Sequence, residues 1–229
     1  MLKIFKKFER GIKLEKDNNS SKLMDMTCAA FANETASESP APGGGSISAY
    51  MGALGAALGT MVANLSSHKP GWDDRWEEFS KHAVVGQKIK DELLWLVDED
   101  TQSFNKIMNA FGLPKGTDEE KAIRRQAIEE ATKYATEIPF KTVQRSFDVF
   151  ALCEAMVETG NPNSVTDAGV GALCAKAAVT GAYFNVRINA ATLQDKEFAA
   201  DIVKKAYEYV EKAAALEAKI VKRVEEIIG

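Results

Sequence analysis

Apolar positions recur along this chain at helical spacing, and no run of convincing length alternates apolar and polar at every second residue. The pattern therefore predicts an all-α fold. Breaks in it set the elements. A helix is expected over residues 23–37, stopped by Glu38-Ser39-Pro40-Ala41-Pro42-Gly43-Gly44-Gly45. Ser46 restarts a helix that runs to residue 65. The loop His68-Lys69-Pro70-Gly71-Trp72-Asp73-Asp74 separates it from a long helix over 75–110, which Gly112-Leu113-Pro114-Lys115-Gly116 ends. Thr117 and Glu120 have capping-box spacing for a helix reaching residue 137. Pro139 predicts a kink or restart, with a helix following to 158. The turn Asn161-Pro162-Asn163 leads to a helix over 165–191, and a last helix covers 196–226. The expected architecture is a single-domain helical bundle of six or seven main helices.

The long helix carries an anomaly. On a wheel started at Ile89, residues Leu93, Leu96, Val97, Phe104, Ile107, Met108 and Phe111 form one broad apolar face. Asp100 falls near its middle and Asp98 on the opposite side. A carboxylate among apolar groups is costly unless paired or hydrogen-bonded, and the same burial raises a pKa toward general acid–base work. Asp100 thus reads either as a functional group or as a structural carboxylate paired with a buried arginine or capping a neighbouring helix. Asp98 and Glu99 read as solvated or rim residues.

Other polar groups stand out. The helix over 46–65 contains Gly52, Gly55, Gly59 and many alanines. Glycines weaken an isolated helix, so this one is expected to press against another backbone. Pro42-Gly43-Gly44-Gly45-Ser46 reads either as a hinge with Ser46 as helix cap or as a turn that holds an anion at a helix N-terminus. It lacks the spacing and ending of a nucleotide P-loop. Ser164 and Asp167 have capping-box spacing, or Asp167 is a carboxylate at the mouth of a helix pair. Asn185 and Asn189, four apart, share a side with Asp167, whereas Arg187 lies elsewhere. Two amides on a small-residue helix suit either a ligand pocket or an oligomer interface.

Composition narrows the function. The 229 residues are 45% apolar with a net charge of −4 and a pI near 5.4. These values give no hint of nucleic-acid binding. Cys28, Cys153 and Cys174 form neither a disulfide framework nor a zinc pattern. They read as small buried hydrophobes of a protein in a reducing cytoplasm. His68 and His82 make no metal site, and no serine-hydrolase elbow is present. The basic arm over 1–22 does not have the form of a signal peptide, and the domain proper is expected over 23–229. No stretch reaches the uninterrupted apolar length of a membrane span, the nearest being 46–65.

Several motifs, in order, resemble one family. They are Ser39-Pro40-Ala41-Pro42-Gly43-Gly44-Gly45-Ser46 with Gly52 to Gly59, Asp98-Glu99-Asp100 with Phe104, Leu113-Pro114-Lys115, Asn161-Pro162-Asn163-Ser164 with Asp167, and Gly181 to Asn189. Together they resemble the formiminotetrahydrofolate cyclodeaminase and methenyltetrahydrofolate cyclohydrolase family from about residue 24 onward. The resemblance implies an all-helical subunit that forms a homodimer and acts on one-carbon derivatives of tetrahydrofolate, with no metal and no nucleotide. One branch converts 5-formiminotetrahydrofolate to 5,10-methenyltetrahydrofolate and ammonia, a step of histidine degradation. The other interconverts 5,10-methenyl- and 10-formyltetrahydrofolate. The family's catalytic carboxylate maps onto Asp98 or Asp100, and the helical wheel prefers Asp100. Gly43, Gly44, Gly45, Ser46, Asp167, Arg187 and Asn189 match positions that shape the folate pocket. Arg187, Lys176 or the glycine-turn amides are candidates for the glutamate carboxylates of a polyglutamated folate. The stretch from Asn64 to Arg75 is nearest to bacterial cyclodeaminase domains fused behind a glutamate formiminotransferase, an implied domain or subunit partner. Cyclodeaminase is the expected activity, with cyclohydrolase as the alternative.

Overall fold

The computed structural model describes residues 22–229, so most of the basic arm lies outside the described residues. Among the described residues six α-helices follow one another: α1 (Cys28–Thr35), α2 (Gly44–Ser67), α3 (Trp76–Phe111), α4 (Asp118–Thr159), α5 (Val165–Ala190) and α6 (Lys196–Ile228). Short 3-10 turns sit at Leu23–Asp25, Asp73–Arg75 and Pro162–Ser164, and the described residues contain no strand. The all-α expectation holds.

Local chemistry explains the boundaries, and in four places corrects the expected ones. The helix expected over 23–37 is broken because Thr27 accepts from the Ala30 N–H at 3.1 Å and starts α1 afresh. At α4 the capping box forms as expected: Thr117 Oγ1 accepts from Glu120 N at 3.1 Å, and Glu120 Oε2 accepts from Thr117 N at 3.0 Å. That helix then runs through Pro139 without a break. Ser46 does not cap α2; Gly43 occupies the cap position, and Ser46 sits fully buried in the first turn. Ser164 precedes α5 without a side-chain capping bond, so no Ser164–Asp167 box forms.

The core is built around α2, which packs on α3, α4 and α5. Its glycines are where neighbours come closest. A methyl added at Gly55 would lie 2.8 Å from the Gly171 carbonyl of α5, and one at Gly59 would lie 2.8 Å from Leu152 of α4. Contrary to the expectation from its composition, α2 is long and apolar enough to cross a bilayer by length and composition, but most of that stretch is buried within the bundle. The amphipathic α6 covers α5 and α4 with Ile202, Ala206, Ala213 and Ile220. Lys176–Glu217 (2.8 Å) and Arg223–Glu158 (3.2 Å) tie its outer edge. On the neighbouring helices α2 and α5, stripes of large apolar residues stay exposed: Leu54, Met61 and Leu65 on one, Val170, Leu173, Phe184 and Ile188 on the other.

Candidate functional site

The apolar stripe of α3 delivers Asp100 to the start of α2. Leu93, Leu96 and Val97 are buried on the same helix one and two turns earlier. The glycine turn receives the carboxylate directly, since a methyl at Gly45 would fall onto it. Ser46 Oγ lies 3.1 Å from Asp100 Oδ2, 3.0 Å from the Val97 carbonyl and 3.3 Å from Thr101 Oγ1. A serine hydroxyl has one proton and two lone pairs. A protonated Asp100 therefore donates to Ser46 while Ser46 donates to Val97 O, and an ionised Asp100 accepts the same hydroxyl. Burial pushes the Asp100 pKa above the ordinary aspartate value, and the Ser46 hydroxyl and backbone N–H only partly oppose the rise. Among the described residues no arginine or lysine pairs with it. The group is thus a carboxyl that holds its proton at higher pH than usual, as general acid–base catalysis requires.

Amides and apolar groups close the pocket around it. Asn185 and Asn189 of α5, Phe104 and Ile107 of α3, and Ala135 of α4 line a cavity of about 130 Å³ with Asp100 and the glycine turn. That is the volume of roughly four liquid waters, enough for a small reacting group. Asn185 Nδ2 donates to Gly181 O at 2.9 Å, and Asn189 Nδ2 donates to Ala135 O at 2.6 Å. The pocket thus sets a proton-holding carboxyl against oriented amides, beside Phe104 and Ile107.

The structure gathers some expected site residues and separates others. Gly43, Gly44, Gly45, Ser46, Asp100 and Asn189 come together. Asp98 stands outside the pocket, where its Oδ1 accepts the Leu23 N–H at 2.6 Å and anchors the segment before α1. Arg187 is exposed, with its guanidinium 5.6 Å from the Tyr183 ring centroid. Asp167 occupies the first turn of α5, about 27 Å along the helix from Asn185 at 1.5 Å per residue. Lys176 is paired with Glu217. Glu99 is not the simple rim residue expected, because Tyr134 Oη donates to its Oε1 at 2.5 Å and Lys106 Nζ lies 3.5 Å away. Burial, then that carboxylate, pushes the Tyr134 phenol up to about 12. Sequence reasoning missed Thr101 and Ala135 as neighbours of the site. Pro139 was the available signal for Ala135, because a proline leaves the carbonyl four residues earlier without its helical donor.

The cysteines divide. Cys153 is buried, and burial lifts its thiol to about 12. Cys174 is half-buried, while Cys28 is exposed, so the expectation of three buried thiols is corrected for Cys28. Among the described residues, no three His, Cys, Asp or Glu side chains cluster as metal ligands would. A second cavity of about 690 Å³ lies at the far end of α2, lined by Thr60, Met61, Leu65, His68, Lys90 and Asn163 among others. Of its two lysines, Lys90 is paired with Asp91 at 2.8 Å, and Lys69 Nζ lies 3.9 Å from the Trp72 ring centroid.

With that geometry in place, the relatives are informative. Residues 27–208 match the family model described as formiminotransferase-cyclodeaminase. The chain is 37% identical over 198 residues to methenyltetrahydrofolate cyclohydrolase of Methylorubrum extorquens, a match covering 86% of this chain and 95% of that one. It is 34% identical over 177 residues to formimidoyltransferase-cyclodeaminase of Gallus gallus, covering 77% of this chain and 32% of that protein. It therefore spans about a third of the length of that longer relative. The crystal structure of formiminotetrahydrofolate cyclodeaminase from Thermotoga maritima superposes with a TM-score of 0.73 at 26% identity, covering 90% of this chain and 97% of that one.

Proposed function

The chain belongs to the formiminotransferase-cyclodeaminase family of folate one-carbon enzymes, and from that premise we propose that it is a formiminotetrahydrofolate cyclodeaminase. It converts 5-formiminotetrahydrofolate to 5,10-methenyltetrahydrofolate and ammonia. The observation that carries the reading is Asp100: a carboxyl of raised pKa, held against Gly45 and bonded to Ser46 in a small pocket.

The reaction needs one group that takes a proton and returns it. N10 of the folate attacks the carbon of the protonated formimino group on N5, and ionised Asp100 accepts the proton that N10 loses. The resulting tetrahedral carbon bears N5, N10 and the former imino nitrogen. Asp100, now protonated, gives its proton to that nitrogen. The C–N bond breaks, ammonia leaves, and the methenyl bridge between N5 and N10 remains. A carboxyl whose pKa is raised by burial is better suited to both halves than an ordinary aspartate. The pocket admits the reacting end of the folate rather than the whole molecule, so the rest of the ligand lies along its mouth and supplies positioning.

The second reading is the cyclohydrolase reaction, favoured by the Methylorubrum relative, which matches almost end to end. There Asp100 would assist a water attacking the methenyl carbon. The Thermotoga structure favours the first. Two absorbance assays decide. Starting from 5-formiminotetrahydrofolate, a cyclodeaminase makes the methenyl signal rise with release of ammonia. Starting from 5,10-methenyltetrahydrofolate, a cyclohydrolase makes it fall faster than buffer alone. A fall without a rise moves the assignment to cyclohydrolase, and silence in both removes the folate reading.

The same reading carries the wider setting. We infer a cytoplasmic step of histidine degradation acting on polyglutamated folate, next to a glutamate formiminotransferase domain or subunit. The exposed stripes on α2 and α5 fit a homodimer, because large apolar patches on soluble proteins mark contact surfaces. Light scattering on the purified chain tests this, and a monomeric mass at micromolar concentration would sink it.

A further inference from the structure

Pro139 sits inside α4. A proline has no N–H for the carbonyl four residues earlier, and its ring pushes that carbonyl aside. Here that carbonyl belongs to Ala135, and it accepts instead from Asn189 Nδ2 of α5 at 2.6 Å. A carbonyl only accepts, so the bond settles which end of the Asn189 amide is nitrogen. One turn earlier, the bond from Asn185 Nδ2 to Gly181 O settles the second amide in the same sense. Both residues line the pocket that holds Asp100, as does Ala135 itself. The α5 wall therefore carries two oriented amides whose oxygens remain for a ligand, about 6 Å apart along the helix axis at 1.5 Å per residue. Across the pocket stands a carboxyl that donates when protonated.

We propose that Pro139 is a positioning residue for this site: it leaves the Ala135 carbonyl open, the Asn189 amide closes on that carbonyl, and the amide oxygen so fixed accepts an N–H of the substrate beside the reacting carbon. The ligand half rests on the folate reading above, whereas the Pro139–Asn189 coupling stands on the fold alone. The group recognised is an N–H donor on the reduced pterin or on its one-carbon substituent. An ether or carbonyl oxygen in the same place would be repelled.

Four proteins test it: the wild type, Asn189→Ala, Pro139→Ala and the double variant. Asn189→Ala leaves the carbonyl without its donor, so Tm falls by about 3–6 °C and KM rises roughly tenfold. Pro139→Ala restores a backbone N–H at position 139 that takes the carbonyl itself. Tm then holds or rises, while KM climbs several-fold because the amide is released. In the double variant Tm matches that of Pro139→Ala alone, because the carbonyl no longer needs the amide, and KM stays high. This split separates a positioning role from a structural one. Tm changes that simply add would overturn the coupling, whatever the substrate. KM recovering with Tm in the double variant would make Asn189 a cap and nothing more, and overturn the positioning role. A wild-type chain that turns over neither folate removes the ligand half together with the folate reading, so the two failures are distinguishable.

Discussion

The two ends of α2 open onto cavities of opposite character. At the N-terminal end, about 130 Å³ is enclosed by the glycine turn, a carboxyl and two amides. At the C-terminal end, about 690 Å³ is lined largely by apolar groups, with a lysine already paired to its neighbour. Volume alone would favour the second. Chemistry favours the first, because only there do the surroundings push a carboxyl away from its ordinary pKa. A site is marked by what its walls do to a titratable group, and the space for the remainder of a large ligand need not lie within the same walls.

Substitutions sharpen that contrast. The largest effect belongs to Asp100→Asn, which should lower kcat by roughly 10²–10⁴-fold with folate binding largely kept. The same variant tests the pKa. The folded state binds the Asp100 proton more tightly than the unfolded state, so the wild type loses stability as pH rises from the ordinary aspartate value through the raised folded value. Asp100→Asn escapes this loss. Its Tm should exceed the wild type at pH 8, and the gap should close as pH falls toward 4. Equal Tm values at both pH values would contradict a raised pKa.

Next comes Gly45→Ala. Its methyl displaces the carboxylate, and kcat should drop on the order of tenfold or more, with about 1–3 kcal/mol of overpacking cost. Ser46→Ala removes a hydrogen bond that favours the ionised form. The acid limb of the pH–rate profile should therefore move to higher pH, with several-fold lower activity near neutrality. A limb that stays in place would show that another group titrates. At the far end of α2, His68→Ala should change kcat/KM by less than twofold. A larger loss would join the two cavities into one functional unit, most simply across a subunit contact. The smallest effect is expected of Asp98→Asn. It weakens one bond to the Leu23 N–H, costing about 1 kcal/mol of stability at unchanged kcat.

Much of this contrast was legible in the sequence. Asp100 stood out because helical periodicity placed a charge inside an apolar stripe, and the Thr117 cap and the loops between the long helices followed from proline, glycine and capping residues. What the sequence withheld was partnership across distance. Nothing local says that Gly45 makes room for a carboxylate on another helix, or that Ser46 turns inward to Val97 rather than capping its own helix. Pro139 was read as a break because its missing N–H is visible and the amide that compensates, 50 residues later, is not. Asp167 and Asn189 shared a helical face but not a neighbourhood, since a face can run the whole length of α5. Ser164 and Asp167 matched a capping pattern that the preceding 3-10 turn leaves unused.

The glycines of α2 have one more consequence, for the order in which the molecule assembles. A helix so poor in side chains has little tendency to form by itself, and its contacts reach partners far along the chain, Leu152 and Gly171 among them. It should become helical only as α3, α4 and α5 close around it, late and in a single cooperative step. Its amides should therefore exchange with solvent deuterium only through global opening. The carboxyl of Asp100 acquires its altered chemistry from that same closure, so a half-assembled chain carries an ordinary aspartate and the activity arrives all at once.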